Sequence, residues 1–299
     1  MKPKIIRAVD GGGNGVRSVE VCGTKVSNVR NIGPPSSVEE FLDFVTKNLP
    51  EECDGISYGI AGDIKNHKVM IKSPNMHFLD GVNLGKTTTD KSGLPTYVGN
   101  DAAAFTHGMS ALLPALTYFM GITWSSGIGL RIIKNGEILA ESEGGHVPLD
   151  PSPFAPRCGC GVRGCAESIL GGESIRRRVK DETEALGIKI PVSMHPCAFL
   201  DISYDKGDEW AVSIYQLIVI GMSSFLDDYV SILRLPAIVW RGTFAINILP
   251  RIEVQIRKVM AGKLINPAWA NEVKFIISPQ PKLDGLIGAA HLLSKQLEK

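Results

Sequence analysis

The chain has 299 residues, 44% of them apolar, with 32 basic and 31 acidic side chains and a formal net charge of +1. Such a length suits two domains of ordinary size, and such an apolar share excludes a disordered chain. The balanced charge offers no field to draw nucleic acid or an anionic membrane, and Met1-Lys2-Pro3-Lys4 leads straight into a strand-like segment with no signal-peptide apolar core.

Lys4 to Asp10 reads as a strand ending in a glycine turn, Gly11-Gly12-Gly13-Asn14-Gly15, and Val16 to Cys22 as a second strand. Ser37-Val38-Glu39-Glu40 has the form of a capping box and opens a helix near Val38 to Asn48. Gly55 to Ala61 is strand-like, Lys86 to Ser92 a short helix, Thr96 to Gly99 a strand, and Asp101 to Leu113 a helix broken by Pro114. From Leu116 the pattern restarts. An apolar strand runs to Thr123, Trp124-Ser125-Ser126-Gly127-Ile128-Gly129 turns, Leu130 to Lys134 returns, and Asn135-Gly136 is a hairpin turn into Glu137 to Ala140. Strand, glycine turn, strand near the start of each half suggests two similar α/β domains, 1–110 and 111–284, with a closing helix at 285–299 packing back on the first. Ile214 to Leu235 is long and apolar but carries Asp227, Asp228 and Arg234, so it reads as a core helix rather than a membrane span. Pro236 stops it, and Ala237 to Trp240 is a short strand.

Prolines and glycines thicken from Gly144 to Gly164, the mark of a loop shaped by something other than packing. Cys158, Cys160 and Cys165 lie in that region, whereas Cys22, Cys53 and Cys197 are scattered. A disulfide framework would spread its cysteines more evenly. With His146 the clustered three make a closed N/S set of the kind that holds structural zinc, and Gly159, Gly161 and Gly164 let the chain turn tightly around an ion. The C-x-C-x4-C spacing is not that of paired C-x2-C knuckles, and no basic patch suggests a nucleic-acid knuckle.

Both glycine turns follow strands, where exposed backbone N–H groups can hold phosphate oxygens, and Asp10 at its strand end can hold Mg2+ through water. Either turn alone fits an ordinary hairpin equally well, and neither is followed by the Gly-Lys-Ser/Thr of a Walker A loop. Asp101 stands between a strand and a helix, where a carboxylate can take a proton from a hydroxyl; a helix cap by Asn100 or Asp101 is the competing reading.

In order, Asp10-Gly11-Gly12-Gly13-Asn14, Ser73-Pro74-Asn75, Asn100-Asp101-Ala102, Ser126-Gly127-Ile128-Gly129, Glu143-Gly144-Gly145-His146 and Cys158-x-Cys160-Gly161-x-x-Gly164-Cys165-x-Glu167 resemble the ROK family of repressors, open reading frames and sugar kinases. The resemblance reaches Gly288-Ala289-Ala290 and so covers nearly the whole chain. It implies an α/β, two-domain actin-like (ribonuclease-H-like) sugar kinase fold with a zinc-bound loop, the sugar lying between domains beside the nucleotide. By motif, Asp101 resembles the catalytic base, and Asn75, Asn100, Asp101, Glu143, His146 and Glu167 the hydroxyl-binding set. His146, Cys158, Cys160 and Cys165 resemble the zinc ligands. Asp10, Gly12, Gly13, Asn14, Ser126, Gly127, Gly129, Arg241 and Gly242 match the nucleotide set. Carboxylates, amides and one imidazole suit a polyol, which offers donors and acceptors all round.

The implied activity is ATP-dependent phosphorylation of a hexose or N-acetylhexosamine, with ATP, Mg2+ and Zn2+, in the cytoplasm, without nucleic-acid or membrane partners; the resemblance also admits a homodimer. The alternative is a sugar-binding sensor or degenerate kinase. The departures from the family pattern fall mainly on the nucleotide turns: Asn14 for Thr, Ser125 for the first Gly of Gly-Thr-Gly, Ala103 for Asn, and Arg241 where a bare glycine faces the adenosine. The segment before Gly11 is too short for the helix-turn-helix domain of a repressor, so a DNA-binding member is not expected.

Overall fold

The structure, a computed structural model, describes residues 3–12, 15–139 and 143–298. Gly13 and Asn14, expected in the first phosphate turn, lie outside the described residues. In chain order the elements are β1 (Ile5–Gly12), β2 (Gly15–Cys22), β3 (Lys25–Ile32), α1 (Val38–Thr46), β4 (Cys53–Ile60), β5 (Asp63–Lys65), β6 (Val69–Lys72), α2 (Leu84–Ser92), β7 (Thr96–Asn100) and α3 (Asp101–Leu112). There follow β8 (Tyr118–Trp124), β9 (Ile128–Lys134), β10 (Glu137–Ile138), α4 (Ala166–Leu170), α5 (Gly172–Ala185), α6 (Pro196–Lys206) and α7 (Glu209–Leu233). The chain closes with β11 (Ala237–Arg241), α8 (Thr243–Ala261), α9 (Trp269–Glu272), β12 (Lys274–Ile277) and α10 (Asp284–Leu297).

The chain divides into two compact units. Unit 1 holds Met1–Thr117, Arg131–Ala140 and Ser278–Lys299; unit 2 holds Tyr118–Leu130 and Glu141–Ile277. One sheet runs β3-β2-β1-β4-β7 and the other β10-β9-β8-β11-β12. In each, an antiparallel hairpin adjoins a parallel run: β1 pairs antiparallel with β2 and parallel with β4, while β9 pairs antiparallel with β10 and β11 parallel with β8 and β12. The restart at Leu116 thus corresponds to a repeated sheet order.

Alternation along β1 sends side chains to opposite faces of the first sheet. Val9 joins Phe41, Leu42 and Val45 of α1, whereas Ile6 and Ala8 join Leu286, Ile287 and Leu293 of α10. Arg7, on the α1 face, is 1% exposed. Its guanidinium donates to Glu20, which stands opposite it in the β1–β2 register, and to the carbonyls of Val45, Lys47 and Asn48 that α1 leaves open at its C-terminus. At the other end of α1, Ser37 accepts from the Glu40 N–H, and Glu40 reaches back to the Ser36 N–H rather than to that of the cap residue. α3 and α10 nearly touch: a Cβ on Gly288 would lie 1.6 Å from the Ala104 carbonyl oxygen.

In unit 2, α7 is long and apolar enough to cross a membrane by length and composition. Its stripe Trp210, Ile214, Ile218, Met222 and Leu226 is buried, and the helix packs on α4, α6 and α8. Trp124 at the end of β8 is fully buried, edge-on to Phe244 with ring centroids 5.0 Å apart, and donates its indole N–H to the Leu170 carbonyl at 2.7 Å.

Candidate active site

Asp10 lies two residues before the end of β1, level with Gly59 of β4. Asn75 is exposed in a turn held by Ser73, whose hydroxyl accepts from the Met76 N–H at 3.2 Å and donates to the Ala61 carbonyl at 3.1 Å. Asn100 ends β7 and is the N-cap of α3: its Oδ1 accepts the amides of Ala102 and Ala103 at 2.9 and 3.4 Å, and its NH2 donates to the Gly62 carbonyl at 3.2 Å. The cap is therefore Asn100. Asp101 is the first helical residue, half-buried, with one carboxylate oxygen 2.9 Å from the Ala102 N–H.

Arg131 was not anticipated by the sequence reading. It is 3% exposed, and its guanidinium reaches Asn100 Oδ1 at 3.4 Å. A lone arginine in the apolar run Ile128–Lys134 is the signal that could have found it.

In unit 2, Glu143 is exposed and precedes a 3-10 turn, Gly144–His146. His146 Nδ1 lies 3.3 Å from Cys158 Sγ, and Cys160 Sγ lies 3.6 Å from Cys165 Sγ. The four ligand atoms fall within 4.8 Å of one another. Metal–sulfur bonds near 2.3 Å and metal–nitrogen bonds near 2.0 Å in a tetrahedron put ligand atoms about 3.5–3.8 Å apart, so this set fits such an ion. Burial pushes the Cys165 thiol up to about 12 and the Cys158 thiol upward, while the Val162 N–H draws Cys160 down. The loop is built to present them: Pro148 bridges to Cys165, Arg157 bridges to Arg163, and the Cys158 N–H donates to the Val162 carbonyl at 2.8 Å. With Nδ1 turned to the thiols, Nε2 is the His146 nitrogen left for a second partner.

Glu167 opens α4 directly after the last of these ligands. Its Oε2 accepts the Ile128 N–H at 3.1 Å, beside the second glycine turn. A Cβ on Gly127 would lie 2.3 Å from that oxygen, so a side chain there would push the Glu167 carboxylate out of its place. The turn itself is closed by the Ser125 N–H donating to the Gly127 carbonyl at 3.0 Å, and Gly129 follows on β9. Arg241, half-buried, ends β11 opposite Thr123. Gly242 has φ +106°, and a Cβ there would lie 2.2 Å from the Trp124 carbonyl and 3.1 Å from the Ser125 nitrogen. The Arg241-Gly242 pair therefore abuts the Ser125–Gly127 turn.

The expected residues thus fall into two groups. Asp10, Gly12, Asn75, Asn100 and Asp101 belong to unit 1. Ser126, Gly127, Gly129, Glu143, His146, Cys158, Cys160, Cys165, Glu167, Arg241 and Gly242 belong to unit 2.

A family model described as ROK family matches residues 8–296. A glucokinase of Thermotoga maritima is 23% identical over 285 residues, spanning 87% of this chain and 86% of that protein. An N-acetylmannosamine kinase of Citrobacter koseri is 32% identical over 150 residues, and the match spans 47% of this chain and 50% of that enzyme. Among solved structures, a ROK family glucokinase from Streptomyces griseus in complex with glucose and AMPPNP superposes with a TM-score of 0.76 at 21% identity, covering 96% of this chain and 98% of that one. The fold is the two-domain, actin-like architecture.

Proposed function

The chain belongs to the ROK family, and from that membership we propose that it transfers the terminal phosphoryl group of ATP to a hydroxyl of a hexose or an N-acetylhexosamine. The observation that carries the reading is the division of labour at the start of α3. Asn100 caps the helix, so the capping task does not fall to Asp101, and we assign the Asp101 carboxylate the role of base. The glucokinase and N-acetylmannosamine kinase similarities support this class of substrate.

Phosphoryl transfer asks a protein for positioning, charge neutralisation and a base at the attacking hydroxyl. Asp101 would accept the proton of the attacking sugar hydroxyl. Asn75, Asn100, Glu143, His146 and Glu167 would orient the sugar. Of these, Asn100 has one amide hydrogen left after its helix-capping and Gly62 bonds. Asp10 would hold Mg2+ through water, and Mg2+ supplies charge neutralisation on the phosphates when bound. The Ser125–Gly127 turn offers the Ser126 and Gly127 N–H groups and the Ser126 hydroxyl to phosphate oxygens. Arg241 adds a guanidinium at the edge of that turn.

His146, Cys158, Cys160 and Cys165 would hold zinc, which supplies structural rather than redox chemistry. Its ligation through Nδ1 would fix the His146 tautomer, leaving the Nε2 proton to donate to a sugar oxygen. A thiol-ligated site and an ATP-dependent reaction suit the cytoplasm.

The test is sugar-dependent ADP release, measured with Mg-ATP against a panel of hexoses and N-acetylhexosamines. ADP formation with at least one of them is expected. Sugar binding with no ADP formed across the panel would move the protein to the sensor reading.

A further inference from the structure

Glu167 has a second task written into its surroundings. As a sugar ligand it needs only to face a hydroxyl. Yet its Oε2 accepts the Ile128 N–H at 3.1 Å and packs against the bare face of Gly127, whose Cβ would fall 2.3 Å away. The segment that carries Glu167 is also stitched to the turn by three further bonds. Trp124 Nε1 donates to the Leu170 carbonyl at 2.7 Å, the Gly172 N–H to the Ser125 carbonyl at 2.8 Å, and the Glu173 N–H to the Ser126 carbonyl at 2.8 Å. On its other side, Glu167 follows Cys165 by two residues, and its Oε1 lies 4.0 Å from Cys158 Sγ. One short segment thus joins the thiol cluster to the turn, all within unit 2.

The geometry points to Glu167 as a positioning residue for the phosphate turn, acting through the Ile128 amide independently of any sugar. The turn's amides are divided. Ser125 N–H is spent on the Gly127 carbonyl and Ile128 N–H on Glu167, which leaves those of Ser126 and Gly127 without a partner among the described residues. Two adjacent amides of a turn can form a nest for an anion when the turn is held in shape. Glu167 does the holding on one side. The inference rests on the kinase reading in that the anion is a nucleotide phosphate.

The test is binding of Mg-ATP in the absence of sugar, by calorimetry, with hydrogen exchange at the Ile128 amide measured on the same proteins. Glu167→Ala removes the acceptor and should weaken Mg-ATP about tenfold or more, as loss of a hydrogen bond to a charged group commonly does. Exchange at Ile128 should accelerate in parallel. Glu167→Gln keeps an oxygen for the amide, so its Mg-ATP affinity and Ile128 exchange should stay within about twofold of wild type while sugar affinity falls. Where Glu167→Ala does not fold, Glu167→Asp serves, because its carboxylate is one methylene too short to reach. Wild-type Mg-ATP affinity and Ile128 exchange in the Ala or Asp variant would overturn the assignment. A wild type that binds no Mg-ATP would defeat the kinase reading, and the Ile128 exchange rates would still decide the positioning claim.

Discussion

Replacing Asp101 by Asn separates chemistry from architecture at the start of α3. The amide keeps the size of the carboxylate, and its oxygen can still accept the Ala102 N–H at 2.9 Å. What is lost is the ability to take a proton, and a positioned base is worth about 10²–10⁴ in rate. The structural cost is small: a charge at a helix N-terminus contributes about 0.3–1 kcal/mol. The neighbouring Asn100→Ala carries a larger structural cost. It strips two amides of their acceptor, which costs about 0.5–2 kcal/mol. In a unit of this size each kcal/mol is worth about 2–4 °C of melting temperature. Asp101→Asn should therefore bind sugar, melt within a few degrees of wild type and turn over at least about a hundredfold more slowly. Steady-state ADP release at saturating sugar, beside calorimetric melting, reads both quantities. Wild-type turnover in Asp101→Asn would refute the assignment of the base.

Cys160→Ser should lose stoichiometric zinc and lower the melting temperature, since structural zinc contributes on the order of 10 kcal/mol to the segment it organises; elemental analysis finding a full metal complement in the variant would count against the site. Arg241→Gly should weaken Mg-ATP about tenfold or more in calorimetry with sugar present, because a charge-assisted hydrogen bond is worth roughly 1.5–3 kcal/mol; tighter binding would mean that Arg241 obstructs the nucleotide. His107, 5% exposed between α3 and α10, has its pKa lowered to about 3, chiefly by burial, with Lys295 and His291 adding to it. Its folded value lies below the unfolded value near 6.5, so the stability it confers is complete above pH 6.5 and declines as pH falls from there toward 3, by at most about 1.4 kcal/mol per pH unit. His107→Phe should flatten that decline in urea melts at pH 5–6, with a residual slope from His291, whose burial also lowers its pKa; equal slopes in the two proteins would refute the linkage.

Elements with an apolar run or a turn signal at both ends were legible. β1, β4, β7, β8, β11 and α10 fall within a few residues of their expected ranges, and Asn135 and Gly136 both take the left-handed backbone that their hairpin turn requires. β3 was not legible because Lys25–Ile32 is a largely exposed edge strand with little apolar alternation. α5 buries only Gly172, Ile175, Val179 and Thr183 among charged neighbours, and α8 carries Pro250 inside a helical run, so both hid from a reading of periodicity. The thiol cluster could be read because cysteine spacing is itself the chemistry. The contact between Gly127 and Glu167 could not, because it joins positions distant in sequence and its only trace is a glycine whose Cβ would displace the Glu167 carboxylate. Likewise the Arg7–Glu20 pair becomes readable only once the β1–β2 register sets the two residues opposite each other.

The proposed reaction is transfer of a phosphoryl group to a sugar. Its most direct measurement is the product: incubate the protein with Mg-ATP and the hexose or N-acetylhexosamine that it binds, then look for the sugar monophosphate by phosphorus NMR and mass spectrometry. A new phosphomonoester is expected in proportion to the ADP formed, appearing at least about a hundredfold more slowly with Asp101→Asn. A protein that binds the sugar with its metal in place, yet yields no sugar phosphate with Mg-ATP, would contradict it.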